Sequence, residues 1–324
     1  MKDKQTAAEQ NRDAEARAGL NKFSASLREQ GLIGGGPASI TQRWRAERRE
    51  RQQCCEGVST NPSDKPFYQS NADYHADHES LSAGMLKDFM DSPQLYYAKY
   101  IAHTVDQRSS ERLAFGSACH TAVLEPDKWD QEIAIAPACD RRTKAGKAEW
   151  SAFAAESTGK LILNPDQANT IEAVRNAVHE CNLASSLIKS PGIVEQPVRW
   201  IDSWTEISCK CKPDKLLDDG TVIDLKTVAD TPLRAFQKNL TKFHYGIQGV
   251  HYLEGTGARR FVWIVVNISP PHQVEIFELD RASIEHAKAI RQTSMEELAD
   301  CYSTNDWHLQ PTDIATISLP RWYQ

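Results

Sequence analysis

The sequence predicts an α/β (α+β) fold, a mixed central sheet flanked by helices, and two observations carry that expectation. Residues 195–280 hold five short runs of strand character, EQPVRWID, TEISCKCK, TVIDLKT, RRFVWIVVN and QVEIFELD. Runs with apolar residues three and four apart precede, interrupt and follow them, which sets helices against that sheet.

In chain order, residues 1–66 are polar and ion-rich, broken by Gly34, Gly35, Gly36 and Pro37. They read as a flexible N-terminal appendage in which Ile40 to Arg51 forms a short basic, solvated helix, leaving residues 67–324 as the folded domain. LSAGMLKDFMDSPQLYYAKYI then shows helical spacing interrupted at Pro93. A helix from Glu111 to about Leu124 should stop before Pro126, because the residue ahead of a proline is pushed out of the helical region. Residues 137–159 start as a basic loop, with Arg141, Arg142, Lys144 and Lys147, and turn amphipathic. Ile171, Val174, Val178, Leu183 and Leu187 space out one helix from Pro165 to about Lys189. The strand runs up to TVIDLKT read as a three-stranded meander. A helical region from about Pro232 to Glu254, two further strands and a helix from about Arg281 to Tyr302 complete the chain.

Composition bounds the function. Hydrophobic residues at 40% and charged residues at 25% are those of an ordinary globular protein. The net charge of −6 weighs against a nucleic-acid partner, yet an enzyme that holds divalent cations needs a carboxylate cluster, and basic patches elsewhere can still track phosphates. The start, MKDKQTAAEQNRDAEA, lacks the apolar core of a signal peptide, and no run is apolar enough to span a bilayer, so a cytoplasmic protein with no membrane partner is expected. Eight unevenly spaced cysteines fit reduced thiols.

The run CKPDKLLDDGTVIDLKT carries the most chemistry. Asp224 and Lys226 are two apart on a strand and share a face, whereas Ile223 and Leu225 point into the core. Taken alone, this is a structural ion pair, and Pro213-Asp214 alone is ordinary turn chemistry. A hairpin through Asp218, Asp219 and Gly220 would join them at one sheet edge. Two carboxylates there suit Mg²⁺, and Lys226 could position an attacking water or stabilise a pentavalent phosphorus transition state.

Pro213, Asp214, Asp224, Leu225 and Lys226 together resemble the signature of PD-(D/E)xK nucleases. FGSACHTAVLEP resembles the helix that supplies a histidine in the RecB and RecE branches, with His120 in the matching place; a packed core histidine is the alternative. YGIQGVHYLEG resembles the QxxxY motif of that branch through Gln248 and Tyr252, which share a helix face, as they would on any amphipathic helix. With the RRTKAGKAEW loop, residues from about Tyr74 to Asp280 resemble the RecE, or exonuclease VIII, nuclease domain.

The resemblance implies catalysis by His120, Asp214, Asp224 and Lys226, and a cation at His120, Asp214, Asp224 and Leu225. It implies DNA contacts at Gln248 and Tyr252, and the basic loop residues Arg141, Arg142, Lys144 and Lys147 are expected to join them. It further implies an exonuclease that needs Mg²⁺ (Mn²⁺ substituting), acts on double-stranded DNA ends from the 5′ side, forms a homo-oligomeric ring and works beside a RecT-type annealing protein in phage-type recombination. A restriction-like endonuclease of the same fold, or an inactive DNA-binding module, are the competing expectations. Glu195 reads as a solvent-facing residue at a strand start, with support of a second metal as the alternative. Cys209 and Cys211 read as packing residues, since no CxxC pair offers iron–sulfur spacing.

Overall fold

The computed structural model describes residues 71–105, 111–229 and 232–307, with the isolated positions Thr316 and Ser318. The appendage expected over residues 1–66 lies outside them.

The α/β expectation holds. Five strands form the central sheet in the order β3 (Gly192–Val194), β6 (Lys215–Leu217), β7 (Thr221–Val228), β8 (Arg260–Asn267) and β9 (Val274–Glu278). Only β7 and β8 run parallel, in register from Thr221 with Arg260 to Val228 with Asn267. Parallel neighbours need a crossover, and α9 (Pro232–Lys242) with α10 (Tyr245–Thr256) supplies it.

Alternation along β7 and β8 sorts the core into two layers. Ile223, Leu225, Val262, Ile264 and Val266 pack with α4 (Glu111–Leu124), α7 (Pro165–Glu180) and α8 (Asn182–Lys189). Val222, Val228, Phe261, Trp263 and Val265 pack with Phe236 of α9 and with Tyr252 and Leu253 of α10. Because both faces are covered, β8 is apolar almost throughout. A third cluster joins α2 (Ala83–Asp91), α3 (Pro93–Tyr96), α10 and α11 (Arg281–Thr304). The short helices α1 (Asn71–Ala76) and α5 (Trp129–Glu132), the basic-loop helix α6 (Lys144–Glu156) and the parallel pair β1 (Ile133–Ile135) and β2 (Leu161–Leu163) complete the elements.

Local chemistry sets the helix starts. The Ser82 hydroxyl accepts from Met85 N at the head of α2, and Thr143 does the same for Gly146 N at α6. Asn164 and Gln167 form a reciprocal capping box ahead of Pro165.

Three expectations are corrected. The meander divides: β4 (Val198–Ile201) and β5 (Ser208–Cys211) form a separate hairpin, while β6 and β7 belong to the central sheet. The helix over 165–189 breaks at Cys181, whose extended backbone (ψ 108) is incompatible with a helix; the helical region expected over 232–254 is present, as α9 and α10 separated where His244 adopts a left-handed conformation (φ 49). The hairpin carrying Asp214 and Asp224 does not lie at a sheet edge, because β7 is the middle strand.

Candidate active site

An opening inside the sheet creates the site. β6 pairs with β7 only at Lys215 with Ile223 and Leu216 with Val222. Continued, that register would bring Pro213 opposite Leu225, and proline has no N–H to offer. The chain turns away there, baring the β7 backbone from Asp224 onward. Side chains occupy the exposed groups: Leu225 N donates to Asp214 Oδ2 at 2.7 Å, and His120 Nε2 lies 2.9 Å from the Leu225 carbonyl. Helix α4, packed on one face of the sheet, thus delivers His120 to the gap.

His120 Nδ1 is 3.3 Å from Asp214 Oδ2 and 4.0 Å from Glu195 Oε1. Ligand atoms of His120, Glu195 and Asp214 all lie within 4.8 Å of one another. Glu195 therefore overturns its reading as a solvent-facing residue. A left-handed backbone (φ 53) turns it off the end of β3, its N–H bonds the Asp214 carbonyl at 3.1 Å, and Lys212 pairs with its carboxylate. A non-glycine residue held in that conformation at a functional cluster is backbone strain with a use.

The other half of the site faces α10. Asp224, 1% exposed, has Oδ1 bonded by Gln248 Nε2 at 2.7 Å and Oδ2 2.5 Å from Lys226 Nζ. Lys87 of α2 donates to Gln248 Oε1 at 3.2 Å, and the ammonium groups of Lys87 and Lys226 lie 5.3 and 5.2 Å from the Tyr245 ring centroid. The structure thus gathers His120, Asp214 and the Leu225 carbonyl on one side of β7 and Asp224, Lys226 and Gln248 on the other. Lys87, Tyr245 and Lys212 escaped the sequence reading. Nothing in their local spacing marks them; only the packing of α2 on α10 and the path of β5 into Pro213 bring them here.

Burial and neighbouring charge shift His120, Asp214, Asp224 and Lys226. Burial opposes a charged His120, but Asp214 and then Glu195 outweigh it and raise its pKa to about 10. Burial likewise opposes ionisation of Asp214, yet His120, Lys226 and the Leu225 N–H bring its carboxyl below the usual range. Asp224 is pushed the other way, by burial and by the Asp214 charge, against the pull of Lys226. Lys226 is raised: Asp224 and Asp214 overcome the cost of burying it. It is therefore an ammonium, a donor rather than a base.

Tyr252 follows Gln248 by one helical turn, and its phenol lies well above its ordinary pKa through burial, with Tyr74, Cys211, Asp224 and Asp214 adding to the rise. Arg141, Arg142, Lys144 and Lys147 are exposed around the start of α6, where Arg141 stacks on Trp150 at 4.1 Å and Arg142 meets Asp140 at 3.6 Å. Cys209 and Cys211 are fully buried in β5, as packing residues should be.

Two carboxylates, an imidazole and a carbonyl converging in one gap fit a divalent cation with hard oxygen preference and tolerance for one nitrogen. His120, Glu195, Asp214 and the Leu225 carbonyl are the residues that would hold it, with Asp224 alongside.

A family profile described as a PDDEXK-like domain of unknown function (DUF3799) matches residues 82–316. No curated protein matches the sequence. Among solved structures, a putative exonuclease from Eubacterium rectale shares the fold, with a TM-score of 0.51 and 14% identity over 77% of this chain and 88% of that one. A phage-related exonuclease from Haemophilus somnus 129PT aligns far more loosely, at a TM-score of 0.30 and 14% identity over 72% and 99% of the two chains. An alkaline exonuclease from Laribacter hongkongensis is looser still, at 0.23 and 12% over 72% and 98%.

Proposed function

The chain belongs to the PDDEXK-like family whose profile spans residues 82–316, and from that premise we propose that it is a Mg²⁺-dependent exodeoxyribonuclease acting on the ends of linear double-stranded DNA, in the 5′ to 3′ direction. The observation that supports this reading is the convergence of His120, Glu195 and Asp214 on a strand gap beside which β7 carries Asp224 and Lys226 as an ion pair. An inactive scaffold has no reason to keep three carboxylates and a part-buried lysine in one place at the cost of desolvating them.

In this reading a divalent cation, when bound, lowers the pKa of water and offsets negative charge on the phosphodiester. The chain supplies the rest. Asp214 stays ionised and orients His120, Gln248 fixes one oxygen of Asp224, and Lys226 holds its proton beside the position where charge grows on the pentavalent phosphorus. The basic residues Arg141, Arg142, Lys144 and Lys147, with Tyr252, are assigned to the DNA strands. A homo-oligomeric ring, a RecT-type annealing partner and a role in phage-type recombination complete the proposal.

Duplex DNA labelled at the 5′ or at the 3′ end, incubated with and without Mg²⁺, tests it. Release of 5′-labelled mononucleotides ahead of 3′ label, only with the cation, is expected, along with an intact covalently closed plasmid. Cleavage of that plasmid would establish the endonuclease instead, and no release from any substrate would leave a binding module.

A further inference from the structure

Lys87 lies outside every motif of the sequence, on α2, and reaches the site from the side opposite His120. Among the described residues its side chain forms no ion pair and makes one hydrogen bond, to Gln248 Oε1 at 3.2 Å. Gln248 bonds Asp224 Oδ1 through Nε2 at 2.7 Å. The two ends of a carboxamide are nearly alike in shape but opposite in hydrogen bonding, so something must decide which end faces Asp224. Burial, and then the Lys226 charge, lower the Lys87 pKa to about 7 against the pull of Asp224 and Asp88; in its ammonium form the group only donates, and so selects Oε1. The reversed amide would set Oε1 against the Asp224 carboxylate, acceptor against acceptor, in a place where Gln248 is 9% and Asp224 1% exposed and solvent cannot relieve the conflict.

We propose that Lys87 is a positioning residue that, through the orientation of Gln248, holds the Asp224 carboxylate in the geometry that binds the divalent cation. The inference rests on the reading of this cluster as a metal-dependent nuclease centre. Burial disfavours the Lys87 charge while Asp224 and Asp88 favour it, and the geometry gives its N–H donors one use, the ordering of Gln248. Gln248 is the outer hydrogen-bond partner of Asp224, the kind of contact known to set metal affinity, and Lys87 stands directly behind it.

The test is Mn²⁺ binding by titration calorimetry on the full-length protein without DNA. Lys87→Met keeps side-chain length and removes the donors, and is expected to weaken Mn²⁺ binding about tenfold. Gln248→Leu should weaken it similarly, and the double variant no further, because the two act in series. In DNA digestion the same variant should lose kcat with KM unchanged. Melting temperature is followed throughout, and Lys87→Ala gives the same cycle should Lys87→Met not fold. Unchanged Mn²⁺ affinity, losses that add in the double variant, or a raised KM at constant kcat, which would make Lys87 a phosphate contact, would each overturn the proposal. Wild-type protein that binds no Mn²⁺ would overturn the nuclease reading with it; wild-type binding matched by Lys87→Met overturns this inference alone.

Discussion

Lys226 sits 2.5 Å from Asp224 Oδ2 and 5.2 Å from the Tyr245 ring centroid, and the carboxylates around it keep its proton on. A flexible four-carbon stem carrying a compact charge suits that narrow place. Arginine would keep the charge but replace it with a wider, planar fork of different reach. Lys226→Arg is therefore expected to lower kcat on linear duplex DNA on the order of a hundredfold, with DNA affinity little changed. Single-turnover digestion alongside a binding titration checks this; activity near wild type would reduce Lys226 to a charge-balancing partner of Asp224.

Helix α10 ties the site to the rest of the domain. Its N-terminal turns carry Tyr245 and Gln248, and three residues further on His251 is fully buried, with Arg291 Nε donating to its Nδ1 at 3.3 Å and Nε2 3.1 Å from the Lys210 carbonyl. Arg291 in turn binds Asp202 Oδ2 at 3.1 Å and Glu254 Oε2 at 2.6 Å, joining α11, the β4–β5 turn and α10. Burial, and then the Arg291 charge, push the His251 pKa down to about 3, against the carbonyls of Lys210 and Leu81 and the carboxylate of Asp202. Unfolded, this histidine takes a proton near 6.5, so its contribution to stability is complete above that pH and is lost as pH falls towards 3, at up to about 1.4 kcal/mol per pH unit. Melting temperatures between pH 7 and 5 should fall more steeply for the wild type than for His251→Gln. Equal slopes would remove His251 from the acid response. The same helix meets β4 closely: a Cβ on Gly255 would stand 2.3 Å from the Trp200 ring. Gly255→Ala should thus cost about 1–3 kcal/mol through overpacking, read as a lower urea midpoint with an unchanged m value.

On the scale of the whole molecule, the three core clusters of the described residues draw on positions from Leu81 to Trp307. None of the described helices is long and apolar enough to cross a membrane. Removing residues 1–66 is expected to leave both the melting temperature and the digestion rate at saturating DNA near those of the full chain. The segment RWRAERRER would still add phosphate contacts, so the truncated protein should bind DNA more weakly mainly at low salt, where such contacts count most. A large loss of both stability and rate would place the segment inside the folded enzyme.

The sequence by itself determined the α/β class, because strand alternation and helical spacing are local and survive without knowledge of neighbours. It also determined the ordered set His120, Asp214, Asp224, Lys226 and Gln248, which the structure gathers around one gap in β7. Only the tertiary structure decided that β4 and β5 leave the central sheet, since strand pairing is a contact between segments and leaves no mark on either one. It alone brought Glu195 inward, through a left-handed backbone and a bond to the Asp214 carbonyl, where a strand-start glutamate otherwise looks like any solvated residue. And it alone found Lys87: a lysine on an amphipathic helix is unremarkable until α2 packs on α10 and sets its ammonium against one particular end of Gln248, a relation fixed by three-dimensional proximity and hydrogen-bond polarity rather than by spacing along the chain.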